Sequence, residues 1–331
     1  MKKKPVIAIT LGDPSGIGPE ITLKALNKKF ISDICAPLII GTNKILSEKQ
    51  NKIKSDLTLN HIYNVEEMNI KRDTINVISP DGLKDFEYPL GKVNAKSGLA
   101  SYLFIKKASE LAMKNKVSAI VTAPINKESI KKAGFKTTGH TEILAELSGI
   151  KDPLTMFQTG KLRIFFLSRH MSLKNAIDYI KTKTLYDFIV QCSSELSKLG
   201  SFKMPIAVAG LNPHNSDNGL FGNEEKKYII PAIKKAVSKK IYITGPIPAD
   251  SVFHMAKSGK YSAVISLYHD QGHIAAKTLD FERTVSVTLG MPFLRTSVDH
   301  GTAFDIAGKG VANSVSMEEA IITAVKYSKC H

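Results

Sequence analysis

Short apolar or β-branched runs alternate along this chain with longer stretches in which apolar residues recur at steps of three and four. Val6–Thr10, Pro37–Ile40, Ala119–Thr122, Arg163–Leu167, Ile206–Ala209, Ala263–Ser266 and Val285–Thr288 read as strands. Each is too short for a helix, and most carry the branched side chains that pack well on a pleated surface. Gly98–Lys114, Thr184–Lys198 and Glu224–Lys239 read as amphipathic helices. Strands alternating with helices predict an α/β fold with a mostly parallel sheet, in which ligands gather beyond the carboxyl ends of the strands. The 331 residues are enough for two ordinary domains or one large α/β unit. No repeat, low-complexity tract or Pro/Gly/Ser linker marks a boundary.

Three segments end on a histidine where a strand hands over to a loop. They are Leu167-Ser-Arg-His170, Leu211-Asn-Pro-His214 and Leu267-Tyr-His269-Asp270-Gln271-Gly272. Imidazole suits a borderline divalent metal, and three protein ligands plus an open position is the catalytic arrangement. The alternative is three unrelated, locally satisfied histidines. Recurrence at three strand ends favours the metal. Two carboxylates stand close in sequence, Asp250 in Gly245-Pro-Ile-Pro-Ala-Asp250 and Asp270 directly after His269. Such acids orient a ligand imidazole, move a proton or bind a substrate amine.

Other motifs gather around turns. Gly12-Asp-Pro-Ser-Gly16-Ile-Gly18-Pro-Glu20 follows the first strand, with Pro19 and Glu20 suited to a helix start. It is not G-x-G-x-x-G, so a Rossmann fingerprint is not read from it. Thr138-Gly139-His140-Thr141-Glu142 combines a hydroxyl cap and an early acid with an imidazole at an anion-friendly helix start. Arg295 ends an apolar run, where its guanidinium could grip a phosphate through two donors or simply lie on the surface.

Composition narrows the field. Apolar residues make up 43%, and no run approaches the roughly 18 uncharged apolar residues of a membrane span. The basic start at Met1 leads into too short an apolar run for a signal peptide. Cys35, Cys192 and Cys330 form no CxxC pair, which argues against a disulfide framework and for a reducing cytoplasm. The net charge of +16 comes from lysines scattered singly and in pairs, without Arg/aromatic interleaving or zinc-finger spacing. It reads as background that steers an anionic small molecule inward, not as a nucleic-acid surface.

Taken together, these segments resemble the 4-hydroxythreonine-4-phosphate dehydrogenase family of pyridoxal phosphate biosynthesis, from Thr10 to about Gly310. The two ends are also similar to the isocitrate/isopropylmalate dehydrogenase group. The N-terminal signature is interrupted here by Pro14-Ser15, and Phe304 replaces proline in His300-Gly-Thr-Ala-Phe-Asp305. The resemblance implies two α/β/α domains sharing a mostly parallel sheet core, with the active site in the cleft between them. Residues 1–128 plus 291–331 would bind the nucleotide, and 129–290 would carry metal, substrate and dimer contacts.

Carried over by position, the metal ligands are His170, His214 and His269, and the substrate contacts are His140, Thr141, Lys277 and Arg295. Ser286 stands where the family has an asparagine, so that contact is shortened or made through water. His300 and Asp305 are the cofactor candidates, and His273 is read as a bystander to the metal. The implied reaction is oxidation of 4-phosphooxy-L-threonine by NAD or NADP. One divalent metal (Zn, Mg, Mn or Co) assists, Asp270 and Asp250 are the catalytic candidates (Asp270 or a metal-linked water as base, Asp250 holding the substrate ammonium), and the β-keto acid formed decarboxylates. A homodimer with its site near the subunit boundary is expected. Alternatives are a dehydrogenase of threonate or erythronate phosphate, suggested by Ser286, and a phosphate acyltransferase.

Overall fold

The computed structural model describes residues 4–53, 55–83, 87–200 and 203–329. Two compact units emerge, one running to Pro153 and resuming at Val285, the other comprising Leu154–Thr284. The described strands are β1 (Val6–Thr10), β2 (Ala36–Ile40), β3 (Thr58–His61), β4 (Thr74–Ile78), β5 (Ala119–Thr122), β6 (Leu154–Thr159), β7 (Leu162–Phe166), β8 (Ile206–Ala209), β9 (Ile243–Ile247), β10 (Ala263–Ser266), β11 (Val285–Leu289) and β12 (Arg295–Val298). In the first unit the order is β3-β4-β2-β1-β5-β12-β11, parallel except for β11, which runs antiparallel to β12. In the second it is β6-β7-β10-β8-β9, parallel except for β6. Helices alternate with the strands, which makes the mostly parallel α/β class expected from the pattern.

All seven expected strands form, within a residue of the expected limits apart from short extensions. The expected helices appear as Ala95–Met113, Thr182–Lys198, and a wide π-helical turn, Glu225–Ile229, running into Ile230–Ser238. Strands β3, β4, β6, β9 and β12 were not anticipated. β3 is a half-exposed edge of Thr-Leu-Asn-His, and β9 contains Gly245-Pro246. β12 buries Arg295, Thr296 and Ser297, polar residues that read as loop until their partners are known. Residues 129–153, assigned above to the second domain, pack with the first unit, where helix His140–Ser148 lies against helix Ala95–Met113. Cys35 and Cys192 are buried free thiols, and Cys330 lies outside the described residues. Among those residues no helix is long and apolar enough to cross a membrane.

Helix Ala95–Met113 starts from an Asn94 side chain that accepts the Ser97 N–H, the usual service of a polar N-cap. Gly98, one turn in, lets the helix approach Lys127–Lys132 so closely that a Cβ there would lie 1.9 Å from the Ser129 carbonyl oxygen. Backbone cannot yield as a side-chain tip can. Gly98→Ala is therefore expected to lower stability by about 3 kcal/mol or more through overpacking, read from the denaturant midpoint.

Candidate active site

Strands β7, β10 and β8 are neighbours, all parallel, and they end level: Phe166 pairs with Ser266, and Ile265 with Val208. Adjacent strands lie about 4.8 Å apart, so whatever follows them emerges along one short edge. His170 follows β7, His269 follows β10 and His214 follows β8. The rings of His170 and His269 stand 6.3 Å apart, centroid to centroid. Among the described residues, however, no three His, Cys, Asp or Glu side chains stand together at metal-holding distances. Two of the three histidines are thus brought together as a facing pair, and His214 is exposed on its own loop. The donor chemistry of the pair suits a borderline divalent ion.

His269 opens the helix His269–Leu279 and is held from three sides. Its Nδ1 and the Asp270 carboxylate are 2.6 Å apart, an arrangement that leaves the lone pair on Nε2 when Nδ1 carries the proton. The His273 ring stacks on it at 3.8 Å and 10°, while packing against Phe157 and Phe166 of the core. Beneath, Gly272 touches the sheet: a Cβ there would lie 2.6 Å from the Phe166 ring and 2.8 Å from the Ile164 side chain.

Three buried polar side chains, passed over in the sequence reading, lash the histidine segments together. The Ser168 hydroxyl donates to the Leu267 carbonyl at 2.8 Å, joining the His170 and His269 segments. Gln271 accepts the Leu267 N–H at 2.8 Å and donates to the Gly210 carbonyl at 2.7 Å, joining the His269 and His214 segments. The Glu225 carboxylate takes the N–H groups of Leu211 and Asn212 and the Ser216 hydroxyl. Burial pushes the Glu225 carboxyl up, but the Asn212 and Ser216 donors win and hold it below the usual carboxylate range. The only sequence signal for these roles was position: Gln271 lies inside the His-Asp-Gln-Gly segment, and Glu225 closes the glycine-rich loop after His214.

Asp250 is exposed in the first turn of helix Ala249–Lys257 and lines a groove with Asp270, Tyr268, His254 and Lys257. Lys277 is half-buried two turns beyond His269, its ammonium 5.3 Å above the Phe281 ring.

The remaining candidates belong to the first unit. Arg295 opens β12 and is 4% exposed. Its Nε and Nη2 donate to the Thr122 hydroxyl at 3.0 and 2.7 Å, and Nη1 to the Thr288 hydroxyl at 3.0 Å. No carboxylate forms an ion pair with it among the described residues, and burial lowers its pKa to about 10, with Glu142 opposing. The Nε2 of His140 is sealed from solvent without a hydrogen-bond partner. Burial, then the Arg295 charge, holds that imidazole neutral, well below its usual value. Thr141 is half-buried beside it, and Ser286 sits on β11 opposite Ser297. The guanidinium is thus clasped by hydroxyls and is not neutralised by an ion pair among the described residues.

Both ends of the first unit's motif set meet. The Ile17 N–H donates to the Thr302 carbonyl, and Gly16 leaves no room for a Cβ beside Thr302. Glu20 is buried rather than displayed at its helix start. It accepts the Ala312 N–H at 2.8 Å and pairs with Lys24 at 3.0 Å. His300 contacts the carbonyl of Gly301, and Asp305 is exposed on the same loop.

A sequence profile of the family described as pyridoxal phosphate biosynthetic protein PdxA matches residues 33–324. The chain belongs to the PdxA family. A relative from Halalkalibacterium halodurans, provisionally named D-threonate 4-phosphate dehydrogenase, is 54% identical over 99% of this chain and 98% of its own. A relative from Fusobacterium nucleatum with the same provisional name is 51% identical over 97% of each chain. Among solved structures, a 4-hydroxythreonine-4-phosphate dehydrogenase from Burkholderia phymatum superposes with a TM-score of 0.87 at 39% identity, covering 98% of this chain and 99% of that one. PdxA membership makes the resemblance drawn from the motifs a finding and supports dehydrogenase chemistry.

Within this PdxA chain the glycine turn after β1 carries a titrating group of its own. Asp13 is fully buried; its Oδ1 accepts the Ser15 N–H at 2.9 Å, while Oδ2 lacks a hydrogen bond of good geometry. Burial raises its pKa from 3.8 to about 6, with the Ser15 N–H and the Ser129 hydroxyl opposing. The folded state therefore takes up a proton between about 6 and 4, and above 6 it carries a buried charge that the unfolded chain hydrates. Asp13→Asn keeps the acceptor for Ser15 and removes the charge. It is expected to stabilise the fold by about 3 kcal/mol at pH 8, a gain that shrinks through pH 6 and disappears below 4, measured by urea unfolding across that range.

Proposed function

We propose that this protein is a metal-assisted, NAD- or NADP-linked dehydrogenase of a four-carbon hydroxy acid 4-phosphate, with D-threonate 4-phosphate as the preferred substrate. The observation that carries the reading is the level edge of three parallel strands, each followed by a loop or helix start that carries a histidine. The choice of substrate rests on the names of the relatives with higher identity and on Ser286 in place of the asparagine expected of the 4-hydroxythreonine enzymes. A second reading, 4-phosphooxy-L-threonine in pyridoxal phosphate biosynthesis, is favoured by the family description and the solved relatives. The two substrates differ at C2, hydroxyl against ammonium, and the exposed carboxylates of Asp250 and Asp270 suit the ammonium.

In this proposal His170 and His269, with His214 from the neighbouring loop, would hold the divalent ion, which when bound would supply a Lewis acid for the C3 hydroxyl. Nicotinamide supplies the hydride acceptor. Asp270 keeps the proton on Nδ1 of His269, so the other nitrogen remains a lone-pair donor. Asp270 and Asp250 would be the candidate bases for the hydroxyl proton, and a bound NAD or NADP would take the C3 hydride. The resulting ketone lies β to the carboxylate, so the C1–C2 bond breaks, carbon dioxide departs and C2 is reprotonated. Arg295 and Lys277 neutralise the phosphate and carboxylate, and neutral His140 with Thr141 supplies uncharged hydrogen bonds to the same groups. His300 and Asp305 are the proposed nucleotide contacts. A cytoplasmic homodimer completes the reading, with the buried free thiols compatible with a reducing compartment.

The test is nicotinamide reduction by purified, metal-defined protein offered each substrate with NAD or NADP. Turnover is expected with both and a higher kcat/KM with D-threonate 4-phosphate; a reversed preference establishes the second reading. His214→Ala is expected to lose on the order of 100-fold or more in kcat, and an unchanged rate in that variant would sink the metal scheme.

A further inference from the structure

We propose that Glu225 is the positioning residue of the His214 loop, holding in place a backbone that the loop would not adopt alone. The inference rests on the reading of His214 as a metal ligand. His214, Asn215, Ser216, Asp217 and Asn218 all have positive φ, between 43° and 70°, a left-handed run without a single glycine. Left-handed backbone costs about 1–2 kcal/mol per ordinary residue, less for Asn and Asp. The composition lowers that cost without removing it, so the run needs external bonds to persist.

Glu225 supplies them. It is 1% exposed and begins the wide π-helical turn, a local distortion of the kind often found at functional sites. Its Oε1 accepts the N–H groups of Leu211 and Asn212 at 2.8 and 2.7 Å. Its Oε2 accepts the Asn212 amide at 2.8 Å and the Ser216 hydroxyl. These contacts bracket His214, with donors on both sides of it. Asn215 adds a bond from its side-chain amide to the Pro246 carbonyl at 2.9 Å, so the loop is pinned at Leu211, Asn212, Asn215 and Ser216 while the imidazole itself stays exposed. No cation pairs with Glu225 among the described residues, and both of its carboxylate oxygens accept bonds from this loop.

Glu225→Gln preserves size and can still accept the two backbone N–H groups, but its amide nitrogen faces the Asn212 amide. Glu225→Ala removes all four bonds. Titration of the full-length apoprotein with cobalt(II), followed by the visible absorption of the bound ion, reads the ligand set without turnover. Glu225→Gln is expected to weaken cobalt affinity about tenfold and Glu225→Ala about 100-fold, with the band altered in shape. Glu195→Gln, at a buried carboxylate of the same unit that pairs with Lys198, is expected to leave band and affinity unchanged. If Glu225→Ala fails to fold, Ser216→Ala, which removes one bond, takes its place with an intermediate effect. A wild-type protein that binds no cobalt overturns the metal reading, and the inference with it. A wild-type band retained with full affinity in the Glu225 variants overturns the inference alone.

Discussion

Where parallel strands stop, their peptide groups lose the neighbours that satisfied them, and a buried donor or acceptor left alone costs about 1–3 kcal/mol. This constraint governs the carboxyl edge of the second unit. Ser168, Gln271 and Glu225 meet it with side chains, and each chosen partner is a backbone group next to a histidine segment. Satisfying the edge and arranging the imidazoles are therefore one act. The chemistry at the strand ends inherits its precision from a requirement that any parallel sheet must face.

The first unit solves a different electrostatic problem. Most of the +16 charge is dispersed on lysines in contact with water, where salt screens it. Arg295 departs from this pattern, buried and held by two threonine hydroxyls that fix its orientation without cancelling its charge. A carboxylate partner would have made it structural. Neutral His140, whose protonation that same guanidinium opposes, adds a polar nitrogen with no protein partner. On the proposed reading, orientation without neutralisation is what suits Arg295 to binding an anion.

The features legible in the sequence were those with a local signature. Apolar periodicity marked seven strands and the longer helices, and turn residues marked the loops that carry His170, His214 and His269. Strand β12 stayed hidden because its buried Arg295, Thr296 and Ser297 become satisfied through Thr122, Thr288 and the backbone of other elements. β6 was obscured in the same way by Gln158 and Thr159, both buried. Gln271 and Glu225 illustrate the limit most clearly: each stood in view inside a recognised segment, but a bracing role is defined by who shares the bond, and the partners lie up to 61 residues away. The unexpected placement of residues 129–153 has the same origin, since packing against helix Ala95–Met113 leaves no mark on the segment itself.

Gly272 carries one further consequence. The helix that begins at His269 rests on Phe166 and Ile164 at a distance that excludes even one methyl group. The sheet thus acts as a mechanical stop: the helix cannot sink lower, and nothing at Gly272 props it higher. The height of the His269 ring above the strand ends is gauged by bare backbone against aromatic carbon, a reference surface with almost no play. Changes elsewhere in the helix can alter what surrounds the imidazole, but not the datum from which its position is measured.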